Sequence, residues 1–349
     1  MSRPDGTGAA EPCEPRQVRE EAAVRRYLWA PPANLSGRTL NPREKHMTTT
    51  PPVCNYEGSD YQDSFWEKGG RAYEDACEAL ALKKLLPARG SHLLELGAGA
   101  GRNTPRYTGY EKITLLDYSR TQLEQARQKL GGSPNLRFVA ADVYRLPFVE
   151  GAFDGATMIR TLHHMADAPA ALTQVRRVLA ENSTFILEYA NKRNLKSMLR
   201  YLLGKQKWSP YTTEPVEYLE LNFDFHPAAI RTWMKEAGFR IERTITVSHF
   251  RLGFLKRIIP TGLLAGLDSL AGLTGGLWQL SPSVFLKTTA LNGTPAALLD
   301  KTKAASGFAC PACREPLEDT PPLIRCAKCE RTYPVENGIY DFRLDVNPS

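Results

Sequence analysis

Two hydrophobic periods alternate along the middle of the chain. Between residues 119–130 and again between 168–179, apolar side chains recur every three to four positions, which indicates helices with one buried face. Five short apolar runs around them are typical of buried strands: residues 91–96, 113–116, 136–140, 153–159 and 183–189. Strand and helix in alternation predict an α/β fold, with a parallel sheet covered by helices on both faces.

Further elements flank this alternating region. Residues 61–86 predict a leading helix, and Ser119 with Gln122 forms a capping box at the start of the first inner helix. The remaining elements are a helix at 226–237 and strands at 239–247 and 284–290. The two last strands would complete the sheet.

The ends of this region differ in composition from it. Residues 1–46 are rich in Pro, Gly, Arg and Glu without a sustained apolar period, which predicts a disordered extension. Met47 offers an alternative translation start. Residues 292–307 are interpreted as a linker to a small C-terminal unit.

Length and charge add two expectations. A chain of 349 residues predicts one large and one small domain, and 42% hydrophobic with 24% charged residues is typical of a globular protein. The net charge of +7 is concentrated between residues 191 and 257, with 13 Lys plus Arg against 6 Asp plus Glu. Such a surface suits RNA, an anionic lipid head or an acidic substrate, and it is equally compatible with an ordinary solvated face.

No uncharged apolar run reaches the ~18 residues of a membrane-spanning helix. The nearest approach, residues 258–280, contains Asp268 and five glycines. This composition favours a buried or lid-forming helical insertion, with a membrane-surface helix as the alternative.

The cysteines predict a metal site. Cys310 and Cys313 form one CxxC pair and Cys326 and Cys329 a second, with twelve residues between the pairs. Two such turns can direct four thiolates at one ion without an open position, which is the pattern of structural zinc. Because the chain shows no signal peptide, we expect a reducing, cytoplasmic location.

A glycine-rich loop follows the first strand. In LLELGAGAGR, residues 93–102, Gly97, Gly99 and Gly101 permit a tight turn and close approach of backbone N–H groups to a ligand. Arg102 stands where a dinucleotide fingerprint requires Gly or Ala, and the Gly-Lys-Ser/Thr of a phosphate loop is absent.

Acidic residues follow the second and third strands. Asp117 can accept hydrogen bonds from both ribose hydroxyls of an adenosine. Asp142 is placed to bond the adenine amino group, with Val143 and Leu146 in apolar contact with the ring. Three consecutive strand ends therefore each offer what adenosine needs.

With these motifs the sequence resembles the class I S-adenosylmethionine-dependent methyltransferases, especially the group of ubiquinone and menaquinone C-methyltransferases. The likeness is carried by LLELGAGAGR, LLDYS, AADVYRLPF, FDGATMIRTLHHMADAPAALTQVRRVL and STFILEY. The resemblance implies a Rossmann-like, seven-stranded methyltransferase domain at 47–291, with insertions at 191–225 and 250–280. One departure is AENS at 180–183, where the family usually has a Pro-Gly-Gly turn.

The resemblance also implies roles for single residues. Glu95 and the three glycines would hold the methionine end of the cofactor, Asp117 with its neighbour Tyr118 the ribose, and Asp142 with Val143 the adenine.

The tail, residues 308–349, resembles the small zinc-ribbon proteins that bind and activate tRNA, rRNA and protein methyltransferases. From Cys310 to Ser349 it carries five Lys plus Arg against seven Asp plus Glu, so it is a poor candidate for binding the phosphates of a nucleic acid. Fused to the enzyme, it would act as a built-in stabiliser or substrate guide.

On the acceptor side, His163 and His164 follow the fourth strand and are the candidate catalytic bases, with packing or backbone bonding as the alternative role. Arg160, Tyr189 and His226 are weaker candidates. The first hypothesis is methyl transfer to a small or lipid-like acceptor beneath a lid formed by the insertions. The alternatives are a tRNA or rRNA methyltransferase, and a scaffold that binds cofactor without catalysis.

Overall fold

The computed structural model describes residues 51–58, 70–291 and 306–345. These ranges include the glycine loop, both acidic strand ends and the four cysteines of the tail. The predicted extension at 1–46, the first part of the leading helix and nearly all of the predicted linker lie outside the described residues.

Within the described residues, nine strands and seven helices precede the C-terminal tail. The strands are β1 (Gly90–Leu96), β2 (Tyr110–Asp117), β3 (Leu136–Ala140), β4 (Phe153–Met158), β5 (Leu179–Ala190), β6 (Val216–Leu219), β7 (Asn222–Asp224), β8 (Phe239–Val247) and β9 (Ser283–Ala290). The helices are α1 (Ala72–Leu85), α2 (Arg120–Leu130), α3 (Ala168–Val178), α4 (Leu195–Leu202), α5 (Pro227–Glu236), α6 (Gly253–Ile258) and α7 (Thr261–Ala271).

Seven strands form the predicted sheet in the order β3–β2–β1–β4–β5–β9–β8. β1 to β5 are mutually parallel, and β9 runs antiparallel to both β5 and β8. The carboxyl ends of β1 to β5 and of β8 therefore meet at one edge, where ligands bind in open α/β sheets. The α/β, Rossmann-like prediction is confirmed.

Helices cover both faces of the sheet, as the periodicity predicted. Leu82 of α1, Leu123 of α2 and Leu264 of α7 belong to the hydrophobic cluster on one face. Leu172 of α3 and Ile230 of α5 belong to the cluster on the other. Burial of these side chains is the main energetic reason that the segments are helical here.

Local signals explain several helix ends. The Ser119 side chain accepts a hydrogen bond from the backbone N–H of Gln122, which is one half of the predicted capping box. The N–H of Ser119 bonds Asp117 in place of the Gln122 side chain. His226 caps α5 through its Nδ1, which accepts from the N–H of Ala228 at 3.1 Å. A helix-capping role is therefore what the structure shows for His226.

The AENS segment lies inside β5 rather than in a turn before it. α3 ends at Val178 and β5 begins at Leu179. Asn182 has φ +63°, and the pairing with β4 shifts register between Phe153 and Gly155. Asn tolerates this left-handed conformation better than most residues, so an irregularity in the strand takes the place of the glycine turn.

The C-terminal tail extends the sheet. β10 (Leu323–Arg325), β11 (Thr332–Glu336) and β12 (Ile339–Asp341) form an antiparallel ladder, and β12 pairs in parallel with β3. The sheet then has ten strands. Phe308 and Phe342 of the tail are buried in the same cluster as α3 and α5, so tail and sheet share one core.

Each insertion leaves the carboxyl edge of the sheet. The first carries α4 and the β6–β7 hairpin after β5, and the second carries α6 and α7 after β8. In the described parts of the chain, no helix is long and apolar enough to cross a bilayer.

Candidate active site

The glycine loop turns sharply at the carboxyl end of β1. Gly97, Gly99 and Gly101 all have positive φ, between +53° and +71°. A Cβ at Gly97 would lie 2.1 Å from Oγ1 of Thr161, so only glycine fits there. A Cβ at Gly99 would meet nothing closer than 3.8 Å, which leaves open space over the loop for a ligand.

Asp117 ends β2 directly beside this loop. Its Oδ2 accepts the backbone N–H of Gly99 at 2.8 Å, and its Oδ1 accepts that of Ser119 at 2.9 Å. Burial raises the pKa of this carboxyl, although the backbone donors oppose the shift. Each carboxylate oxygen keeps a second lone pair, which is what a pair of ribose hydroxyls requires.

Asp142 and Val143 lie at the end of β3, beside the glycine loop and Asp117. The Asp142 Oδ1 accepts the N–H of Tyr144 at 2.8 Å, and burial raises the pKa of Asp142. Val143 is buried and begins a short 3-10 helix. The three predicted cofactor loops thus lie at adjacent strand ends, β1, β2 and β3.

The tail reaches this site through Arg343. Its guanidinium bonds Asp341 at 2.6 Å, Glu57 at 3.2 Å and the carbonyl of Tyr118 at 3.3 Å. The hydroxyl of Tyr118 donates to Asp345. Sequence reasoning missed the contacts with Glu57 and Tyr118, because they join segments more than 200 positions apart.

Glu57 connects the tail to the N-terminus of α2. Its carboxylate accepts the backbone N–H groups of Arg120 at 2.9 Å and Thr121 at 3.0 Å. A carboxylate at a helix N-terminus satisfies unpaired donors and interacts favourably with the helix dipole. The link from Arg343 through Glu57 therefore braces the helix that follows Asp117.

Glu95 is fully enclosed next to the glycine loop. It accepts hydrogen bonds from Thr104 Oγ1 at 2.6 Å and the Tyr107 hydroxyl at 3.3 Å. Burial raises the pKa of Glu95 to about 7. These contacts hold the segment after the loop in place, and the implied role at the methionine end stays a prediction.

The two candidate histidines occupy a 3-10 turn after β4, with their ring centroids 4.0 Å apart. Both ring nitrogens of His164 are engaged, Nδ1 with the carbonyl of Leu221 at 3.1 Å and Nε2 with the Tyr56 hydroxyl at 3.2 Å. Burial lowers the pKa of His164 to about 4 and that of His163 well below its usual value. His164 is placed to brace the β6–β7 hairpin.

A buried ionic network joins α1 to the segments that follow β1 and β4. Glu78 of α1 accepts from Arg102 at 2.7 Å and from Arg160 at 2.6 Å. Burial favours the neutral acid, but the two guanidinium groups prevail and hold the pKa of Glu78 below its usual range. The backbone N–H of Arg160 in turn bonds Glu188 of β5 at 2.9 Å, so the network spans β4 and β5.

Two further charged residues, Arg251 and Asp224, lie at this edge of the sheet, and sequence reasoning missed both. The Nε and Nη2 atoms of Arg251 are buried without a hydrogen-bond partner, and its nearest carboxylate, Glu74, is 4.0 Å away. Burial and the neighbouring charge of Arg160 lower the pKa of Arg251 to about 10. A buried N–H without a partner is costly, so these two nitrogens are poised to donate to an acceptor atom of a ligand.

Asp224 lies in the same electrostatic neighbourhood, at the end of β7. Within the described ranges its carboxylate accepts no hydrogen bond, and burial raises its pKa to about 6 even though Arg251 and Lys192 oppose the shift. A carboxylate with a pKa near neutrality is suited to take a proton. In the sequence Asp224 is a single Asp between two Phe residues, a pattern that does not indicate a functional site.

The four cysteines of the tail converge. Their sulfur atoms all lie within 4.8 Å of one another, with Cys310 and Cys329 at 3.6 Å and Cys313 and Cys326 at 3.5 Å. Tetrahedral zinc with bonds of about 2.3 Å sets sulfur atoms roughly 3.8 Å apart, so the set fits zinc.

Both CxxC turns have the same backbone form. The residue after each pair, Arg314 and Glu330, has positive φ, and its N–H bonds the carbonyl of the first cysteine at 2.8 and 2.9 Å. The Tyr333 hydroxyl lies 3.0 Å from the sulfur of Cys310. Burial alone would raise the pKa of Cys310, but Tyr333 and backbone donors bring it down to about 7, which favours the thiolate that a metal needs.

Comparison with known proteins agrees with this geometry. Residues 94–187 match the family model described as a methyltransferase domain. Over 109 residues the chain is 37% identical to an O-methyltransferase of Penicillium expansum, and the aligned part covers 30% of this chain and 40% of that protein. Over 168 residues it is 25% identical to the demethylmenaquinone methyltransferase of Clavibacter sepedonicus, covering 45% of this chain and 69% of that protein.

Among solved structures, the chain is similar to one in a Haloferax volcanii complex that contains the Trm112 methyltransferase activator. The TM-score is 0.47 at 18% identity, over 67% of this chain and 95% of that one. The chain spans less than half the length of the first curated O-methyltransferases that it matches.

The matched segment runs from β1 to β5 and contains the glycine loop, Asp117 and Asp142. Its five strands correspond to the five apolar runs of the sequence. Residues 94–187 therefore match a methyltransferase domain, and they lie in a sheet with the Rossmann-like topology described above.

Proposed function

We propose that the protein transfers the methyl group of S-adenosylmethionine to an oxygen or carbon of a small or lipid-like acceptor. The observation that carries this proposal is the convergence of the glycine loop, Asp117 and Asp142 at adjacent strand ends inside the segment that matches the methyltransferase family. O-methyltransferase and quinone methyltransferase relatives support an acceptor of this kind.

The residues present fit the cofactor. Open space over Gly99 admits the ligand, and the Asp117 carboxylate has lone pairs for the ribose hydroxyls. Asp142 and Val143 would hold the adenine, and Tyr118 would flank the ribose. When bound, S-adenosylmethionine supplies a methyl group already activated by its sulfonium.

The acceptor side requires alignment and removal of a proton. In our proposal Asp224 accepts the proton of the reacting acceptor group, and Arg251 holds an oxygen of the same acceptor. The pKa of Asp224 is about 6, whereas the pKa of His164 is about 4, and both nitrogens of His164 are engaged. Asp224 is therefore the stronger base near neutral pH, and a catalytic role of His163 stays a prediction.

We also propose one structural zinc ion in the tail, held by Cys310, Cys313, Cys326 and Cys329. The sulfur separations and the two matching turns support this assignment. A closed set of four thiolates leaves no open position for catalysis. Zinc would therefore stabilise the tail and, through β12 and Arg343, the cofactor loops.

RNA is a less favoured acceptor. The comparisons give no support for it, and the tail that resembles methyltransferase activators is slightly acidic. The scaffold alternative is disfavoured by the intact cofactor loops. A labelled-methyl assay against phenols, demethylated quinones and RNA distinguishes a small-molecule acceptor, an RNA acceptor and a scaffold without activity.

Asp117→Ala is expected to weaken binding of S-adenosylmethionine and S-adenosylhomocysteine by roughly 1 to 3 kcal/mol, because the ribose hydroxyls lose their acceptor. Isothermal titration measures the change, which corresponds to about 5- to 150-fold in Kd.

The matched control is Asp154→Ala. Asp154 also accepts two backbone N–H groups, those of Ser91 at 2.7 Å and His92 at 2.8 Å, but at the opposite edge of the sheet. It should leave cofactor affinity unchanged. Equal affinity in the Asp117 variant would remove that residue from the site, and binding of NAD instead would overturn the cofactor assignment.

A further inference from the structure

The exposed apolar side chains of the protein are concentrated in the two insertions. Within residues 51–58, 70–291 and 306–345, every exposed large apolar residue but one lies in 191–225 or 250–280. The exception is Leu323 of β10. Large apolar patches of this kind on otherwise polar proteins mark interaction surfaces.

The first contribution is the outer side of α4. Leu195, Leu199 and Leu202 are 50, 49 and 80% exposed and follow the i, i+4, i+7 spacing of one helical face. Ser197 is the one buried residue of this helix. The face is therefore turned away from the core of the protein.

The second contribution is α7. Its Leu264 and Ala265 are buried against the sheet, whereas Leu263, Leu267 and Leu270 are 59, 44 and 66% exposed on the other side. The inner side of α7 is thus held in the core of the protein. Its outer side carries an apolar stripe that nothing in the described fold covers.

The segment that follows α7 links the two contributions. The backbone N–H of Leu195, at the start of α4, bonds the carbonyl of Leu280 at 2.8 Å. Just before that residue, Leu277 and Trp278 are 84 and 62% exposed. We call α4, α6, α7 and residues 277–280 the insertion face.

The charge around this face has one sign. Residues 193–213 carry five Lys plus Arg at the surface and no Asp or Glu, and residues 252–280 add the exposed Arg257, with Lys256 bonded to Glu74 and Asp268 buried. The exposed acids of the first insertion, Glu214, Glu217 and Glu220, are confined to the β6–β7 hairpin and its approach. Surfaces that lie in a membrane interface are typically rich in Leu, Phe and Trp with Lys and Arg beside them.

We propose that the insertion face docks on the surface of a bilayer that contains anionic lipids. Its leucines and Trp278 enter the boundary between headgroups and acyl chains, and the flanking cations contact the headgroups. A second copy of the chain fits less well, because a two-fold contact would bring two basic faces together.

Both insertions leave the carboxyl edge of the sheet, where the acceptor side of the site lies. Docking there would turn the opening of the site toward the bilayer, so that a lipid-like acceptor enters without crossing water. This consequence for the acceptor rests on the proposed function, whereas vesicle binding itself does not.

The test is co-sedimentation of the full chain, without cofactor, with vesicles of phosphatidylcholine alone or mixed with phosphatidylglycerol. We expect binding to the mixed vesicles, at least tenfold weaker binding to neutral ones, and loss of binding on raising the salt concentration. Leu199→Glu combined with Leu202→Glu should weaken partitioning at least tenfold at unchanged Tm.

The control variant is Leu323→Glu, which changes an equally exposed leucine outside the insertion face and should bind as the parent protein does. Equal loss in this control, or no binding of the parent to either vesicle, would overturn the proposal. So would a dimer in sedimentation that the α4 variants dissociate, or RNA oligonucleotide binding by a protein that ignores vesicles. Because no methyl transfer is measured, failure here is distinguishable from failure of the proposed function.

Discussion

Cys326→Ser is expected to release zinc, unfold residues 308–345 and weaken cofactor binding in the large domain. Structural zinc in small peptides contributes about 10 to 16 kcal/mol to folding, and removing one of four thiolates takes away most of that contribution. Elemental analysis should show the metal lost, and circular dichroism should show lost strand signal.

The effect on the cofactor follows from two contacts of the tail. β12 pairs with β3, whose end carries Asp142, and Arg343 bonds Glu57 and the carbonyl of Tyr118. Unfolding the tail exposes the β3 edge and removes the brace on α2. We therefore expect the Kd for S-adenosylmethionine to rise about tenfold, which is ~1.4 kcal/mol.

Cys54→Ser is the control for this variant. Cys54 is buried and lies outside the metal cluster, so the same chemical change there should leave zinc content and cofactor affinity intact. An ordered tail with full activity in zinc-free Cys326→Ser protein would contradict the structural metal. If zinc is lost but the affinity for the cofactor is unaltered, only the proposed support of the cofactor loops by the tail is contradicted.

Asp224→Asn is expected to lower kcat by about 10² to 10⁴, the usual contribution of a positioned general base, with cofactor affinity unchanged. In the parent protein kcat/KM should rise as pH passes through about 6, because the carboxylate must be deprotonated to accept a proton. The asparagine variant should lack this step.

Stability gives an independent reading of Asp224. Its pKa is raised in the folded state, so its contribution to stability is present below its ordinary pKa and is lost as pH rises through about 6. Above that pH the asparagine variant should be more stable than the parent. The control is Glu220→Gln, which changes an exposed acid of the same hairpin and should alter neither activity nor stability. Full kcat in the Asp224→Asn variant would exclude Asp224 as the base.

Features that depend on neighbours in the sequence were predictable. The periods of two and 3.6 residues, the capping box at Ser119, the glycine loop and the paired CxxC turns each act over a few positions. Parallel strands joined by helices then bring successive strand ends to one edge, which placed Asp117 and Asp142 beside the glycines without further information.

Features that depend on segments far apart in sequence were decided by the tertiary structure. A free edge at β3 presents unpaired backbone groups, and the tail satisfies them by adding β12, so a unit that the sequence presents as separate became part of one sheet. In the sequence, neither Arg251 nor Asp224 is part of a recognisable motif. Folding of two insertions over the same edge brought them into one neighbourhood, where burial alters their pKa values and leaves two nitrogens of Arg251 without a partner.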